Sequence, residues 1–452
     1  MNKKVVAIFL AAAVGLTAAQ AFRNDQVLAD RAEEVIGETG PGEGNETDDT
    51  DPGVEEVEEA IDEDYGLSDV PINATYFPDE TFGMYVFENF DTDYNGVLSR
   101  SEATAVRTIT LVCEGVTDLT GIEYFTELTA LYCSDNELTS LDISSNTALT
   151  TLDCSYNRLT VLDVGNNTAL NHLYCSGNSL TGLELGNNSA LRSLWCDSNQ
   201  IETLDVSNNL ELALLTCTSN LLTRLDLSHN TELRSLDCCD NLLTRLDLSH
   251  NPLLAMLYCN NNRITTLDIS TCSALDNLYK TCEHQRVGDT IMIEEDGGAC
   301  MWYDSDTVII TAVDMYRLYN PNSGEHFYTA SKGERNHLIS LGWNDEGIGW
   351  VAPSSSNTPV YRLYNPNGGE HHYTTSVDER DHLISLGWID EGIGWYSDDS
   401  RRVPLYRQYN PNAFSNNHNY TTSIRENDYL VSIGWQAEGI GWYGIAPGRR
   451  TV

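Results

Sequence analysis

Apolar residues recur in one fixed frame between residues 128 and 268: Leu-x-x-Leu-x-Cys-x-x-Asn-x-Leu-x-x-Leu-acid-apolar-x-x-Asn, renewed every 21 residues. In the first copy these positions are Leu128, Leu131, Cys133, Asn136, Leu138, Leu141, Asp142, Ile143 and Asn146. Leu131 and Cys133 flank the polar-facing Tyr132, which is strand periodicity. Each copy therefore predicts one short strand, parallel to the last and about 4.8 Å from it. A second extended stretch is expected at residues 141–143, giving two narrow walls. A period this strict means a solenoid, in which each unit buries its apolar edge only against its neighbours. The turn asparagines Asn136, Asn157, Asn178, Asn199, Asn220, Asn241 and Asn262 are expected to stack as a ladder bonding the loop backbone.

This frame resembles leucine-rich repeats of the short bacterial 21-residue type. The resemblance implies a binding scaffold, not an enzyme. Cys133, Cys154, Cys175, Cys196, Cys217, Cys238 and Cys259 stand where such repeats carry leucine. Their number is odd, each has two equivalent neighbours, and strand spacing exceeds the Cβ separation of a disulfide. They read as buried, reduced thiols acting as small hydrophobes. Cys113 falls in the turn before the array. Cys239 breaks the frame and is expected to be exposed. A single disulfide among Cys272, Cys282 and Cys300 stays open.

Side chains facing outward are where binding would lie. The central outward column reads Tyr132, Asp153, Tyr174, Trp195, Thr216, Asp237, Tyr258, beside His172, Ser193, Leu214 and Met256. Four aromatic rings in one column suit a contact surface for a protein or glycan; stacking of the rings on one another is the competing explanation. A second column, Asp142, Asp163, Glu184, Asp205, Asp226, Asp247 and Asp268, reads as acids capping the turn that follows each of them.

Ahead of the array, Asp91-Thr-Asp93-Tyr-Asn95-Gly96-Val97-Leu-Ser99-Arg-Ser-Glu102 matches a 12-residue EF-hand calcium loop. Asp91, Asp93 and Asn95 would offer side-chain oxygens and Val97 its carbonyl. Ser99 would act through water, and Glu102 would close the site with two oxygens. A helix is expected over 79–90 and another over 101–108. The stretch 77–102 resembles the unit that caps leucine-rich repeats in exported proteins of Gram-positive bacteria, which implies a structural Ca²⁺.

Residues 314–443 hold three copies of a 45-residue unit, opening at Tyr316, Tyr361 and Tyr406. Each continues through a histidine strand (His326, His371, His418) and a short helix. Each closes on a Gly-Trp and a Gly-Ile-Gly-Trp, at Trp343 and Trp350, Trp388 and Trp395, Trp435 and Trp442. Three copies predict a pseudo-threefold β domain, with a β-trefoil as the first expectation. The unit resembles a secreted repeat that accompanies bacterial cell-wall hydrolases, peptidases and glycosidases. That implies attachment to wall or matrix polysaccharide, with the named tyrosines and tryptophans stacking on sugars.

Residues 1–21 read as a signal peptide: Lys3 and Lys4, an apolar core, then Ala19-Gln20-Ala21. Residues 23–70 hold 18 acids against 2 bases and read as an acidic linker. The net charge of −43 would repel phosphates, which argues against nucleic acid as a partner. The expected location is extracellular or cell-surface, with no membrane insertion after cleavage.

The expected fold is multidomain and mainly β. A leader (1–21), an acidic linker (22–70) and an EF-hand-like cap (71–110) precede the solenoid (111–283). A terminal cap or linker (284–312) and the triple repeat (313–446) follow. No nucleophile elbow, HExxH or phosphate loop is present. The sequence thus points to a non-enzymatic recognition or adhesion protein. The alternative is a hydrolase accessory protein with a catalytic site hidden in the triple repeat.

Overall fold

The stacked strands of a computed structural model begin at Thr108–Thr110 and repeat at Ala130–Tyr132, Thr151–Asp153, His172–Tyr174, Ser193–Trp195, Leu214–Thr216, Ser235–Asp237 and Met256–Tyr258. The structure describes residues 69–295, 298–412 and 418–448, so the leader and the acidic segment up to residue 68 lie outside it. All the described residues belong to the unit Gly66–Val452. Neighbouring strands pair in parallel with equivalent residues in register: Leu131 opposite Leu152, Leu152 opposite Leu173. The chain is a leucine-rich-repeat solenoid, mainly β.

Residues 284–312 are part of the stack. Cys300–Asp304 adds a ninth parallel strand beside Met256–Tyr258, and Thr290–Glu294 and Gln285–Val287 cover the open edge as an antiparallel hairpin. The second wall is not a continuous sheet. Only its last stretch, Thr266–Asp268, forms a strand, with Val308–Ile310 as partner.

Inside, the seven frame cysteines are no more than 2 % exposed and sit among the leucines. All twelve cysteines are free thiols, which closes the question of a disulfide among Cys272, Cys282 and Cys300. Cys239 is buried, contrary to expectation, because its thiol tucks under the next turn 3.0 Å from Asn260 Oδ1. The asparagine ladder forms as expected. Asn157 donates to the Cys133 and Cys154 carbonyls and accepts from the Leu138 amide, so each asparagine closes its own turn and the one before. A second ladder, Asn146 to Asn251, runs along the opposite wall: Asn167 Nδ2 reaches the carbonyls of Ile143 and Asn146. Cys272 ends it, its thiol facing the Asn251 carbonyl at 3.4 Å. In the acidic column the six aspartates cap as read, Asp142 and Asp205 for example accepting from the amides of Ser144 and Ser207; among the described residues, no such cap is seen at Glu184.

Helix α1 (Glu80–Asn89) and helix α2 (Arg100–Ala105) cover the first repeat. Asp79 caps α1 through the Phe82 amide and also holds the Thr117 amide at 2.8 Å, tying cap to solenoid. Helix α3 (Ser273–Thr281) closes the other end, burying Leu275 and Leu278.

Each C-terminal unit is two strands, a helix and a third strand. The first runs Ala312–Tyr319, His326–Thr329, α4 (Lys332–Ser340) and Asn344–Pro353; the second Pro359–Asn365, Glu370–Thr374, α5 (Val377–Ser385) and Ile389–Tyr396. The third runs Val403–Tyr409, His418–Thr421, α6 (Ile424–Ser432) and Gln436–Gly444. They form three separate antiparallel sheets, each with its own helix, and a short further strand, Ala446–Pro447, pairs back onto the first. The threefold repetition is present, but a β-trefoil is not: its barrel of hairpins has no place for a helix in every unit. Tyr328, Tyr373 and Tyr420 meet at ring distances of 5.6–5.8 Å, and Trp350, Trp395 and Trp442 at 5.3–5.8 Å.

Candidate functional site

The outward column of the solenoid is continuous. Register places Thr110, Tyr132, Asp153, Tyr174, Trp195, Thr216, Asp237 and Tyr258 side by side, and Trp302 follows on the ninth strand. Tyr174 and Trp195 are half-buried and meet edge to face at 5.2 Å, with His172 stacked on Tyr174. Tyr258 and Trp302 form a second such pair at 5.2 Å. The Trp302 indole donates to Glu294, and the Tyr258 hydroxyl lies 2.8 Å from the Cys300 thiol. Stacking and surface display thus coexist. Trp302 was not legible as part of this column, because the step from Tyr258 to Trp302 is 44 residues, not 21.

Between the pairs lies a polar patch. Asp237 accepts from the Thr218 hydroxyl and the Cys239 amide. Asp197, one residue beyond the frame cysteine, accepts from the hydroxyls of Ser176 and Thr216 and the Thr218 amide. Burial pushes the Asp197 carboxyl up to about 6 against these hydrogen bonds, and Asp237 shifts the same way for the same reason. Asp197 escaped the sequence reading, although the equivalent positions are serine, threonine, cysteine or asparagine. Asp153 accepts from the Ser155 amide, and Tyr132 is half-buried at the first full repeat.

At the cap, the loop after α1 brings carboxylate oxygens of Asp91, Asp93 and Glu102 within 4.8 Å of one another. Asp91 is buried and accepts from the Asn95 and Gly96 amides. Gly96 has φ 79°, a left-handed turn that side chains resist. Asn95 Oδ1 accepts from the Val97 amide, and Ser99 and Glu102 form a capping box on α2. Against burial, hydrogen bonds from Thr92 and Ser99 hold the Glu102 carboxyl down at about 2. An all-oxygen donor set of this kind suits a hard cation.

In the C-terminal module the aromatic candidates divide. Trp350, Trp395 and Trp442 are at most 4 % exposed and pack on one another, so their faces are not offered to a sugar. Tyr316 is buried under Arg335, and Tyr361 lies beneath Arg380 at 4.5 Å; Tyr406 is half-buried. Trp343, Trp388 and Trp435 remain half-exposed, the first two against Phe327 and His372. A ring of ion pairs locks the units together: Arg362 to Glu334, Arg407 to Glu379, and Arg317 to Glu426. Arg402 joins module to solenoid through Asp268 at 2.9 Å. Among the described residues, no helix is long and apolar enough to cross a membrane.

A family described as a domain of unknown function, DUF5648, matches residues 314–445. Internalin J of Listeria monocytogenes serotype 4b (strain F2365) is 39 % identical over 72 residues, 16 % of this chain and 8 % of that protein. Among solved structures, the functional domain of InlJ from L. monocytogenes, whose description includes a cysteine ladder, is 28 % identical. The match covers 46 % of this chain and 60 % of that one, with a TM-score of 0.26. Internalin C2 of L. monocytogenes strain 4b F2365 is 24 % identical over 46 % of this chain and 93 % of its own, with a TM-score of 0.43. The chain thus spans less than two thirds of the internalin J sequence or of its solved domain.

Proposed function

We propose that this chain is an exported bacterial recognition protein without catalytic activity, whose solenoid binds a protein through its strand face. One observation carries the reading: a single continuous sheet displays two aromatic pairs, Tyr174–Trp195 and Tyr258–Trp302, on either side of an acidic and hydroxyl-bearing patch. Aromatic anchors around a polar centre are the composition of binding hot spots. The 39 % identity to internalin J over 72 residues supports a leucine-rich-repeat binding protein. The triple repeat attaches the molecule to wall or matrix polysaccharide, and a structural Ca²⁺ bound by Asp91, Asp93, Asn95, the Val97 carbonyl, Ser99 through water, and Glu102 stiffens the cap. The leader, through residue 21, directs export.

The test is retention of solubilised cell-surface proteins, bacterial and animal, on the immobilised full chain and on its Tyr174→Ala/Trp195→Ala variant. A protein held by the native chain and lost from the variant supports the reading. Identical retention on both overturns it.

A further inference from the structure

We propose that the cleft between the second and third C-terminal units is the carbohydrate site of the module; the proposal rests on the polysaccharide-attachment reading above and gives it a place. The three inter-unit junctions share their framework, since each has a glutamate at a helix start bonded to the arginine of the next unit. The second junction departs from the others. Where the first unit has Phe327 and the third Asn419, the second has His372, bonded to Glu379 at 3.0 Å and packed 4.8 Å from the His418 ring. Beside Glu379, the residue that His372 holds, opens a cleft of about 340 Å³, lined by Thr374, Ser376 and Glu379 of one unit and Arg407, Glu438 and Trp442 of the next.

The chemistry of that lining fits a polyhydroxylated ring. Glu438 is the most accessible acid: it holds Arg407 Nε at 2.7 Å and keeps unused acceptor capacity. The Trp442 indole N–H is buried and finds no protein partner, as at Trp350 and Trp395, and beside it the Arg407 guanidinium and the Ser376 hydroxyl offer donors next to these acceptors. A sugar hydroxyl both donates and accepts, so one ring satisfies both kinds of group. Ile440, 47 % exposed, adds an apolar lip for the C–H face of the ring. A phosphate would meet two carboxylates, and an amine would meet Arg407, so a neutral sugar is the ligand chemistry favoured. The volume sits at the small end of ligand pockets, about 300–1,000 Å³, which suits a short stretch of a glycan chain.

The test uses the full chain, titrated with purified peptidoglycan fragments and neutral soluble glucans, mannans and chitin oligomers. Thr375→Trp fills the mouth of this cleft; Ala330→Trp and Thr422→Trp do the same at the two equivalent junctions. Glu438→Gln removes the accessible carboxylate. The expected result is binding by the native chain, weakened about tenfold or more by Thr375→Trp and Glu438→Gln, the worth of one or two hydrogen bonds. The two symmetry-related variants should bind as the native chain does. Equal binding by all variants, or equal loss from all three tryptophan variants, overturns the site while leaving the attachment reading standing. If the native chain binds none of these saccharides, both fall.

Discussion

The Trp302 ring lies edge-on to Tyr258 with centroids 5.2 Å apart, and it completes an outward column that the 21-residue period alone does not reach. Strand face, cysteine ladder and asparagine ladders are three readouts of one stacking step. Each makes a separate, measurable demand on the molecule.

Tyr174 and Trp195 serve scaffold and surface together, since their rings touch and both remain half-exposed. An edge-to-face pair is worth about 1 kcal/mol beyond the area it buries. In a double-mutant cycle followed by urea unfolding, Tyr174→Ala and Trp195→Ala should therefore couple by about that amount. Strict additivity would mean that the rings stand apart in solution.

The twelve thiols should divide sharply by reactivity. Burial pushes the frame cysteines far above the ordinary thiol range, and only Cys113 is exposed, with Cys282 half-buried. A colorimetric thiol reagent should modify at most these two in the native protein and all twelve after denaturation without reductant. Fewer than twelve in denaturant would reveal a disulfide.

Glu102→Gln should weaken Ca²⁺ binding by an order of magnitude or more, because the residue supplies both closing oxygens of the proposed site. Calorimetric titration of the full chain with CaCl₂ is the check. Affinity unchanged from the native chain would remove the calcium assignment.

Asp197 should give a pH signature with a definite sign. Its folded value of about 6 lies above the ordinary 3.8, so the folded state holds the proton more tightly than the unfolded chain. The stability drawn from the protonated form is present below pH 4 and is lost as pH rises through 6. Unfolding free energy should fall over that window in the native chain and fall less in Asp197→Asn. Parallel curves for the two proteins would show that Asp197 titrates as an exposed acid.

The solenoid was legible because a strict period constrains every rung at once: Leu131, Cys133 and Asn136 have one role in all copies. Legibility failed where the period breaks. Trp302 follows a longer excursion, and Cys272 continues the second asparagine ladder under another residue name. In the triple repeat, two tryptophans per unit looked alike in sequence. Packing around the threefold centre buries Trp350, Trp395 and Trp442 and leaves Trp343, Trp388 and Trp435 near the surface. A 45-residue spacing records that units repeat, but not which side faces the axis.

The most direct measurement is photo-crosslinking from the strand face. A benzophenone amino acid replaces Thr216, between the two aromatic pairs, or Val161, 72 % exposed and outside that column. Each full-length protein is irradiated with solubilised cell-surface proteins. The expected result is a discrete protein adduct from position 216 and none from position 161. Adducts of equal yield and pattern from both positions would contradict a recognition surface on the strand face.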